Sequence, residues 1–298
     1  MPLVQLNPGS GDWHDVKHAA LIVWKASQIP DVTALQNDLR NHYMNPASTT
    51  IDIHTGINQF RKAILVHNHE TIVIAFQGSA DDEIHKNLWT DGKGPNWWDF
   101  PYPVHINGNR VHCFYLGMWN GMKSAVFSAL GDAIAAMHDH DMVPKKVIIA
   151  GYSMGGGVST LAFTDIIEHI RHSYGSQASS PQDWASDHTL GSLIQHLTFA
   201  SRGAGDQGYL TLLNNLYARY QIRAWDFLNH WDQTQHLPPY HFRCWRGHRY
   251  ILPHEVTHQF GAGFGPLGHW IQGYYQAAEW MTDYGSDQVR SAYLSGYA

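Results

Sequence analysis

Two cysteines in 298 residues, Cys113 and Cys244, allow one disulfide or none, so a disulfide framework is excluded as the source of stability. Basic residues are also scarce. Nineteen Lys and Arg against 25 Asp and Glu leave a net charge of −6, and no basic cluster stands out beyond the pair Lys145–Lys146. Neutralising phosphates takes a basic face, so nucleic acid is not expected as a partner. No apolar run approaches the eighteen or so residues of a membrane span, so no transmembrane segment is expected. The opening "MPLVQLNPGSGDW" has no basic region followed by an apolar one, so no secretory leader is expected. A mature secreted form behind a new start methionine would read identically. The compartment therefore stays open, with the shortage of cysteine leaning towards the cell interior.

Charged residues make up 15% of the chain and hydrophobic ones 44%, which places it among globular proteins rather than disordered ones. The abundant residues are 22 histidines and 12 tryptophans. Histidine richness bears on two short motifs that compete for the chemistry. "YILPHEVTHQFGAG" (250–263) contains H-E-x-x-H, and "VIIAGYSMGGG" (147–157) contains G-x-S-x-G. In a chain of this composition the first arises by luck roughly once in forty sequences and the second roughly once in seven. Neither pattern decides alone, so the surrounding segments must.

Residues 13–27 place Val16, Ala19, Ala20, Val23 and Trp24 at helical spacing, and 31–43 read as a second helix behind Pro30 and Asp31. "TIVIAFQGS" (71–79) is a β-branched run closed by glycine, a buried strand feeding a loop. Residues 80–104 are irregular. From Trp119 to Met137 apolar residues keep helical spacing, and "VIIA" (147–150) is a continuous apolar run of the kind found in parallel strands. Val158, Leu161, Ala162, Ile166 and Ile170 then define another helix. The serine of G-x-S-x-G therefore sits between a buried strand and a helix. Residues 173–192 read as a polar loop, 196–200 and 221–227 as strands, 242–252 as a hairpin turning at Arg246–Gly247, and "HWIQGYYQAAEWM" as a helix. Strands alternate with helices and no internal repeat shows, so 1–298 is expected to be one α/β domain.

A zinc site on H-E-x-x-H needs His254 and His258 on one helical face, with Glu255 as base and a third ligand downstream. Pro253 forces any such helix to begin at His254, and "GAGFGP" (261–266) stops it within a few residues. Phe264 occupies the position of a third histidine, which leaves Glu279 as a distant carboxylate candidate. The stretch reads better as a polar loop in a histidine-rich chain.

The serine has the context it needs. Gly151 and Gly155 flank Ser153, so the backbone can turn sharply and lift Oγ clear of the strand end above a helix N-terminus. A dinucleotide fingerprint would need glycine at Ser153, and a phosphate-binding loop would need a Lys–Ser/Thr pair that is absent.

From about residue 71 to 280 the chain resembles the class 3 (fungal-type) lipases of the α/β-hydrolase superfamily. "IVIAFQGS" resembles their strand ending in F-R-G-S/T, and "VHCFYLGMW" (111–119) their V-H-x-G-F segment. "VIIAGYSMGGG" matches the nucleophile elbow, and "TFASRGAGD" (198–206) is similar to T-F-G-x-P-R-x-G-D. "DQTQHLPP" (232–239) is similar to D-x-V-P-x-L-P-P, and "GHWIQGYY" (268–275) to the terminal histidine segment. The sequence departs from the family at Tyr152 and Met154, where His and Leu are usual, and at Gln77, Phe114 and Arg202, where Arg, Gly and Pro are usual.

The resemblance implies an α/β-hydrolase fold, a mostly parallel central sheet flanked by helices with a lid segment around 80–104. It implies Ser153 as nucleophile, Asp232 as orienting carboxylate and His269 as base, with Asp226, and His248 or His258, as rivals for the last two. The oxyanion hole would draw on Ser79 and on the backbone N–H of Met154. Trp89, Trp97, Trp98 and Phe100 would belong to the lid or acyl-binding segment, although the same aromatics suit a plug beside the sheet equally well. The expected function is hydrolysis of carboxylic esters through an acyl-enzyme, with a lipid or other acyl-ester substrate, transient contact with a lipid surface, and no cofactor or metal. A zinc metallopeptidase using 254–258 and a catalytically silent lipase-like scaffold binding a lipid or partner are the alternatives.

Overall fold

The computed structural model describes residues 11–42, 49–54, 61–78, 104–229, 232, 248–252 and 269–283. The apolar runs form strands: β3 (Thr71–Phe76), β6 (Lys146–Tyr152), β7 (Ile194–Phe199) and β8 (Arg223–Asn229), each buried along nearly its whole length. Unbroken burial is what a strand covered on both faces requires, and it explains why these runs show no polar alternation. β6 and its neighbours β3 and β7 run parallel, as do β8 and β9 (Arg249–Leu252) beyond them. Two strands not expected from the sequence, β1 (Thr49–His54) and β2 (Arg61–His67), extend the other edge in antiparallel fashion. The result is a seven-stranded sheet in the order β1-β2-β3-β6-β7-β8-β9. A two-stranded ribbon, β4 (Val104–Ile106) with β5 (Asn109–Val111), forms a separate sheet.

Alternate residues of each strand enter different cores. Ile72, Ile74, Phe76, Val147 and Ile149 pack against α3 (Cys113–His138), α4 (Met154–Ser173) and α6 (Gln207–Tyr220). Val73, Ala75, Ile148 and Ala150 pack against α1 (Gly11–Gln28), α2 (Val32–His42) and α7 (Ile271–Asp283) on the opposite face. This three-layer arrangement places the carboxyl ends of the parallel strands along one rim, where open α/β sheets carry their sites.

Helix boundaries follow local chemistry. Asp31 Oδ1 accepts from the Ala34 amide at 2.7 Å, capping α2 as its place behind Pro30 leads one to expect. α3 begins at Cys113, earlier than the spacing from Trp119 indicates, because buried Tyr115 already lies on its apolar face. The stretch 173–192 is more ordered than its polar composition suggests. It holds a short turn at Asp183–Ala185 and helix α5 (Leu190–Leu193), and Arg171 fastens it by donating to Asp187 at 2.9 Å. Of the expected hairpin over 242–252, Arg249–Leu252 is a strand that pairs parallel with β8, and 242–247 lie outside the described residues.

A buried ion pair ties α1 to the sheet. Asp15, 8% exposed, accepts from Lys146 Nζ at 2.7 Å and from Gln195 Nε2 at 2.8 Å, joining the starts of β6 and β7. Removing one partner of a buried pair costs about 3–5 kcal/mol, somewhat less here because Lys146 stays partly in water. Asp15→Ala is therefore expected to lower the thermal midpoint by several degrees. A cycle with Lys146→Ala should show the double variant losing less than the sum of the singles.

Several histidines are held neutral by burial. Desolvation lowers His18 and His112 from 6.5 to about 4, and lowers fully buried His196 well below 6.5. The unfolded chain binds these protons below pH 6.5 while the folded one does not. Stability is thus complete above that pH and is lost as pH falls towards 4. Three such groups steepen the acid side by at most about 4 kcal/mol per pH unit. The expected result is a thermal midpoint that is flat near neutrality and falls between pH 6.5 and 4.5; a midpoint constant over that range contradicts the assignment.

Candidate active site

β6 ends at Tyr152 and α4 begins at Met154, so Ser153 alone makes the turn between strand and helix. It does so at φ 52° and ψ −118°, a backbone conformation that a residue with a side chain adopts only when its surroundings impose it. Those surroundings can be named. The Ser153 amide donates to Phe199 O at 2.9 Å, and its carbonyl accepts from Gly156 N at 3.1 Å and Arg202 N at 3.2 Å. A Cβ on Gly155 would collide with the carbonyl oxygens of Phe76 and Gln77, and one on Gly151 would collide with the Gly155 oxygen. Gly155 is thus demanded where the helix start passes the carboxyl end of β3, and Gly151 where the strand end passes the helix start.

The turn lifts Ser153 Oγ to 2.7 Å from His269 Nε2, and His269 Nδ1 lies 2.7 Å from Asp232 Oδ2. Ser153, Asp232 and His269, three residues named from the sequence, are brought together. The Asp232 carboxylate is fully buried, and the His269 side chain is 18% exposed. The arrangement fixes the imidazole tautomer: an Nδ1–H pointing at a carboxylate leaves the Nε2 lone pair facing the hydroxyl.

Asp232 is itself positioned by groups that the sequence does not disclose. The Tyr274 hydroxyl, from α7, donates to Asp232 Oδ2 at 2.7 Å and accepts from Asn229 N at 2.9 Å. The Asp232 amide donates to Asn229 O at 2.9 Å. Burial, helped by the Asp232 charge, pushes the Tyr274 phenol well above its usual range, which keeps it protonated as a donor near neutral pH. Nothing in "GHWIQGYY" separates Tyr274 from the apolar stripe of its helix, so no local signal marks its role.

Two of the rivals, Asp226 and His248, have partners of their own. Asp226, fully buried, accepts from Thr198 Oγ1 at 2.8 Å, Ser201 N at 2.9 Å and Arg249 Nη2 at 3.1 Å. Burial raises its carboxyl above the usual range, with Arg249 opposing. His248 Nδ1 pairs with Ala224 O at 3.1 Å. A second serine–histidine pair exists that the sequence does not reveal: Ser159 Oγ lies 3.1 Å from His196 Nε2. Both residues are 0% exposed, and His196 Nδ1 pairs with the Tyr217 hydroxyl at 2.9 Å rather than with a carboxylate. A hydroxyl sealed on every side between strand and helix cannot meet an ester; this pair satisfies buried polar atoms.

Met154 opens α4, and its main-chain N–H follows Ser153 at a helix N-terminus, where backbone donors and the helix dipole favour negative charge. Ser79, the tryptophans Trp89, Trp97 and Trp98, Phe100, and the zinc candidates His254, Glu255 and His258 lie outside the described residues. Glu279 accepts from Tyr275 at 2.6 Å and pairs with Lys17 at 3.6 Å. Among the described residues, no group of three His, Cys, Asp or Glu side chains is placed to hold a metal ion, and no helix is long and apolar enough to cross a membrane.

No protein among the curated set matches the chain. Solved structures do. The Rhizomucor miehei lipase propeptide complex, in a deletion-mutant form, superposes with a TM-score of 0.60 at 16% identity, covering 84% of this chain and 70% of that one. Rhizomucor miehei triacylglyceride lipase gives 0.58 at 17% identity, over 83% and 82%. The lipase from Rhizopus microsporus var. chinensis gives 0.54 at 16%, over 80% and 75%. At such identities the likeness establishes the α/β-hydrolase fold. The family model for lipase (class 3) matches residues 73–241, more than half of the sequence. Fold, family match and serine motif agree: the chain belongs to the class 3 lipase family and is a carboxylic-ester hydrolase.

Proposed function

We propose that Ser153, His269 and Asp232 form the catalytic triad of a lipase that cleaves acyl esters of lipids through an acyl-enzyme. The observation that carries this reading is the unbroken pair of 2.7 Å hydrogen bonds from Ser153 Oγ through the His269 ring to Asp232. His269 Nε2 takes the serine proton as Oγ attacks the ester carbon, and the carbonyl π pair moves onto oxygen. The oxyanion is held by the Met154 N–H and, in the role the family resemblance assigns it, by Ser79. Collapse of this intermediate breaks the bond to the leaving alcohol, which receives the proton from His269. Water then repeats the sequence on the acyl-enzyme and releases the carboxylic acid. Asp232 stabilises the imidazolium in both halves without taking its proton.

A lipid substrate is favoured by family membership, and transient contact with a lipid surface follows from a water-insoluble ester. The test is hydrolysis of p-nitrophenyl esters from acetate to palmitate, with and without a chelator, followed by treatment with an organophosphonate. Hydrolysis indifferent to the chelator, rising with acyl length and abolished by labelling of Ser153, is expected. Loss of activity with the chelator alone overturns the mechanism in favour of the metal chemistry of 254–258.

A further inference from the structure

Residue 152 sits where the class 3 lipases usually carry histidine, and in this chain it is a tyrosine. It is the last residue of β6, paired with Phe199 of β7 and directly preceding the strained Ser153. Tyr152 is 8% exposed and its ring lies over Gly78: a Cβ there would come within 2.5 Å of the ring edge. The same ring meets the imidazole of His269, with centroids 5.0 Å apart and planes tilted by 33°. The phenolic O–H donates to the backbone carbonyl of His269. One side chain therefore touches the chain just beyond β3, adjoins the nucleophile covalently and grips the main chain of the base.

We infer that Tyr152 is a positioning residue that sets the distance between Ser153 and His269 by tethering the histidine backbone to the residue preceding the nucleophile, an inference that rests on the triad reading above. His269 precedes α7, separated from it by Trp270, and its ring is held at one end by Asp232 and at the other by Ser153. Hydrogen bonds to the ring fix its rotation, but they do not fix where its Cα sits. The Tyr152 bond supplies that second constraint, and it originates from the turn that carries the nucleophile. Movement of β6 therefore carries both reacting groups together. An imidazole at position 152 has no atom as far from its Cα as the phenolic oxygen, so the usual family residue cannot make this bond. Proton transfer is sensitive to such placement, since a misplacement of about 1 Å can lower a rate about a hundredfold.

The test uses Tyr152→Phe, which keeps the ring over Gly78 and against His269 and removes the hydroxyl alone. Phosphorylation by diethyl p-nitrophenyl phosphate reads the nucleophile and its base directly, and its final stoichiometry counts intact sites. The expected result is a phosphorylation rate constant and a kcat for p-nitrophenyl butyrate both lowered about tenfold. KM should stay within about twofold and stoichiometry near one label per chain, with the thermal midpoint lowered by no more than a few degrees, the cost of one hydrogen bond. A rate constant within about twofold of wild type overturns the inference. So does a loss seen only as reduced stoichiometry, because Tyr152 then acts on folding and not on the base. Ser153→Ala run alongside separates the two levels: if it still hydrolyses the ester, the triad reading itself has failed whatever Tyr152→Phe does.

Discussion

Ser153→Ala is expected to lower kcat for a p-nitrophenyl ester by on the order of 10⁶, close to what removal of the serine costs in other serine hydrolases. The loss is large because, among the described residues, no second hydroxyl can substitute. Ser153 Oγ is placed 2.7 Å from His269 at a partly open position, while Ser159, hydrogen-bonded to His196, has no exposure. Alanine is tolerated at 153, since the turn is imposed by the Phe199, Gly156 and Arg202 backbone bonds and by the two flanking glycines, none of which involves the hydroxyl. The variant should therefore keep its thermal midpoint, and residual activity would come from oxyanion donors and binding alone. Ser159→Ala provides the contrast. It removes a donor to Gly156 O and a partner of His196, so it should lose stability by about 1–3 kcal/mol while keeping kcat within about threefold. Measuring kcat and midpoint for both variants decides between the two serines; a reversed pattern would move the nucleophile to Ser159.

Ser153, the proposed nucleophile, is legible in the sequence because its geometry makes demands that few residues meet. A strained turn between a strand buried on both faces and a helix requires glycine on either side, and "VIIAGYSMGGG" supplies an apolar run, flanking glycines and the start of a helical period in one short stretch. Asp232 and His269 carry no such local signature. They are found through the order and spacing of neighbouring family segments, not through their own surroundings. What the sequence hides is longer in range. Tyr274 bonds Asp232 from 42 residues away, and the Tyr152 phenol reaches the His269 carbonyl across 117. Each looks like an apolar residue of its own element, because an aromatic ring contributes to periodicity while its hydroxyl does not. His196 is invisible for the opposite reason. A polar residue in a buried strand signals that a partner must exist, but the partner, Tyr217, comes from the next long helix. The direction of β9 and the antiparallel pair β1 and β2 depend on connections, which side-chain patterns do not record.

The sharpest remaining test compares the buried aspartates Asp226 and Asp232. Asp232→Asn is expected to lower kcat by about 10³–10⁴ with little change in stability, and Asp226→Asn to do the reverse. Asp232 Oδ2 accepts at once from His269 Nδ1 and from the Tyr274 hydroxyl. Both are donors, so an asparagine turns its amide oxygen towards them and the bonds survive. What is lost is the charge that stabilises the imidazolium formed when Ser153 gives up its proton, and that loss falls on the transition state, not on the folded ground state. Asp226 faces Arg249, whose side chain is 15% exposed and approaches it at 3.1 Å, together with Thr198 and the Ser201 amide. Neutralising it leaves a largely buried cation without its counter-charge, a change worth about 3–5 kcal/mol in stability. The Ser201 amide belongs to the segment that leads to Arg202 and the Ser153 carbonyl, so Asp226 supports the turn without touching the reaction. With kcat expressed per organophosphate-titrated site, Asp226→Asn should remain within about threefold of wild type while its thermal midpoint falls by several degrees. If Asp232→Asn keeps full activity per site and Asp226→Asn does not, the orienting carboxylate is Asp226 and the bond between His269 and Asp232 is only structural.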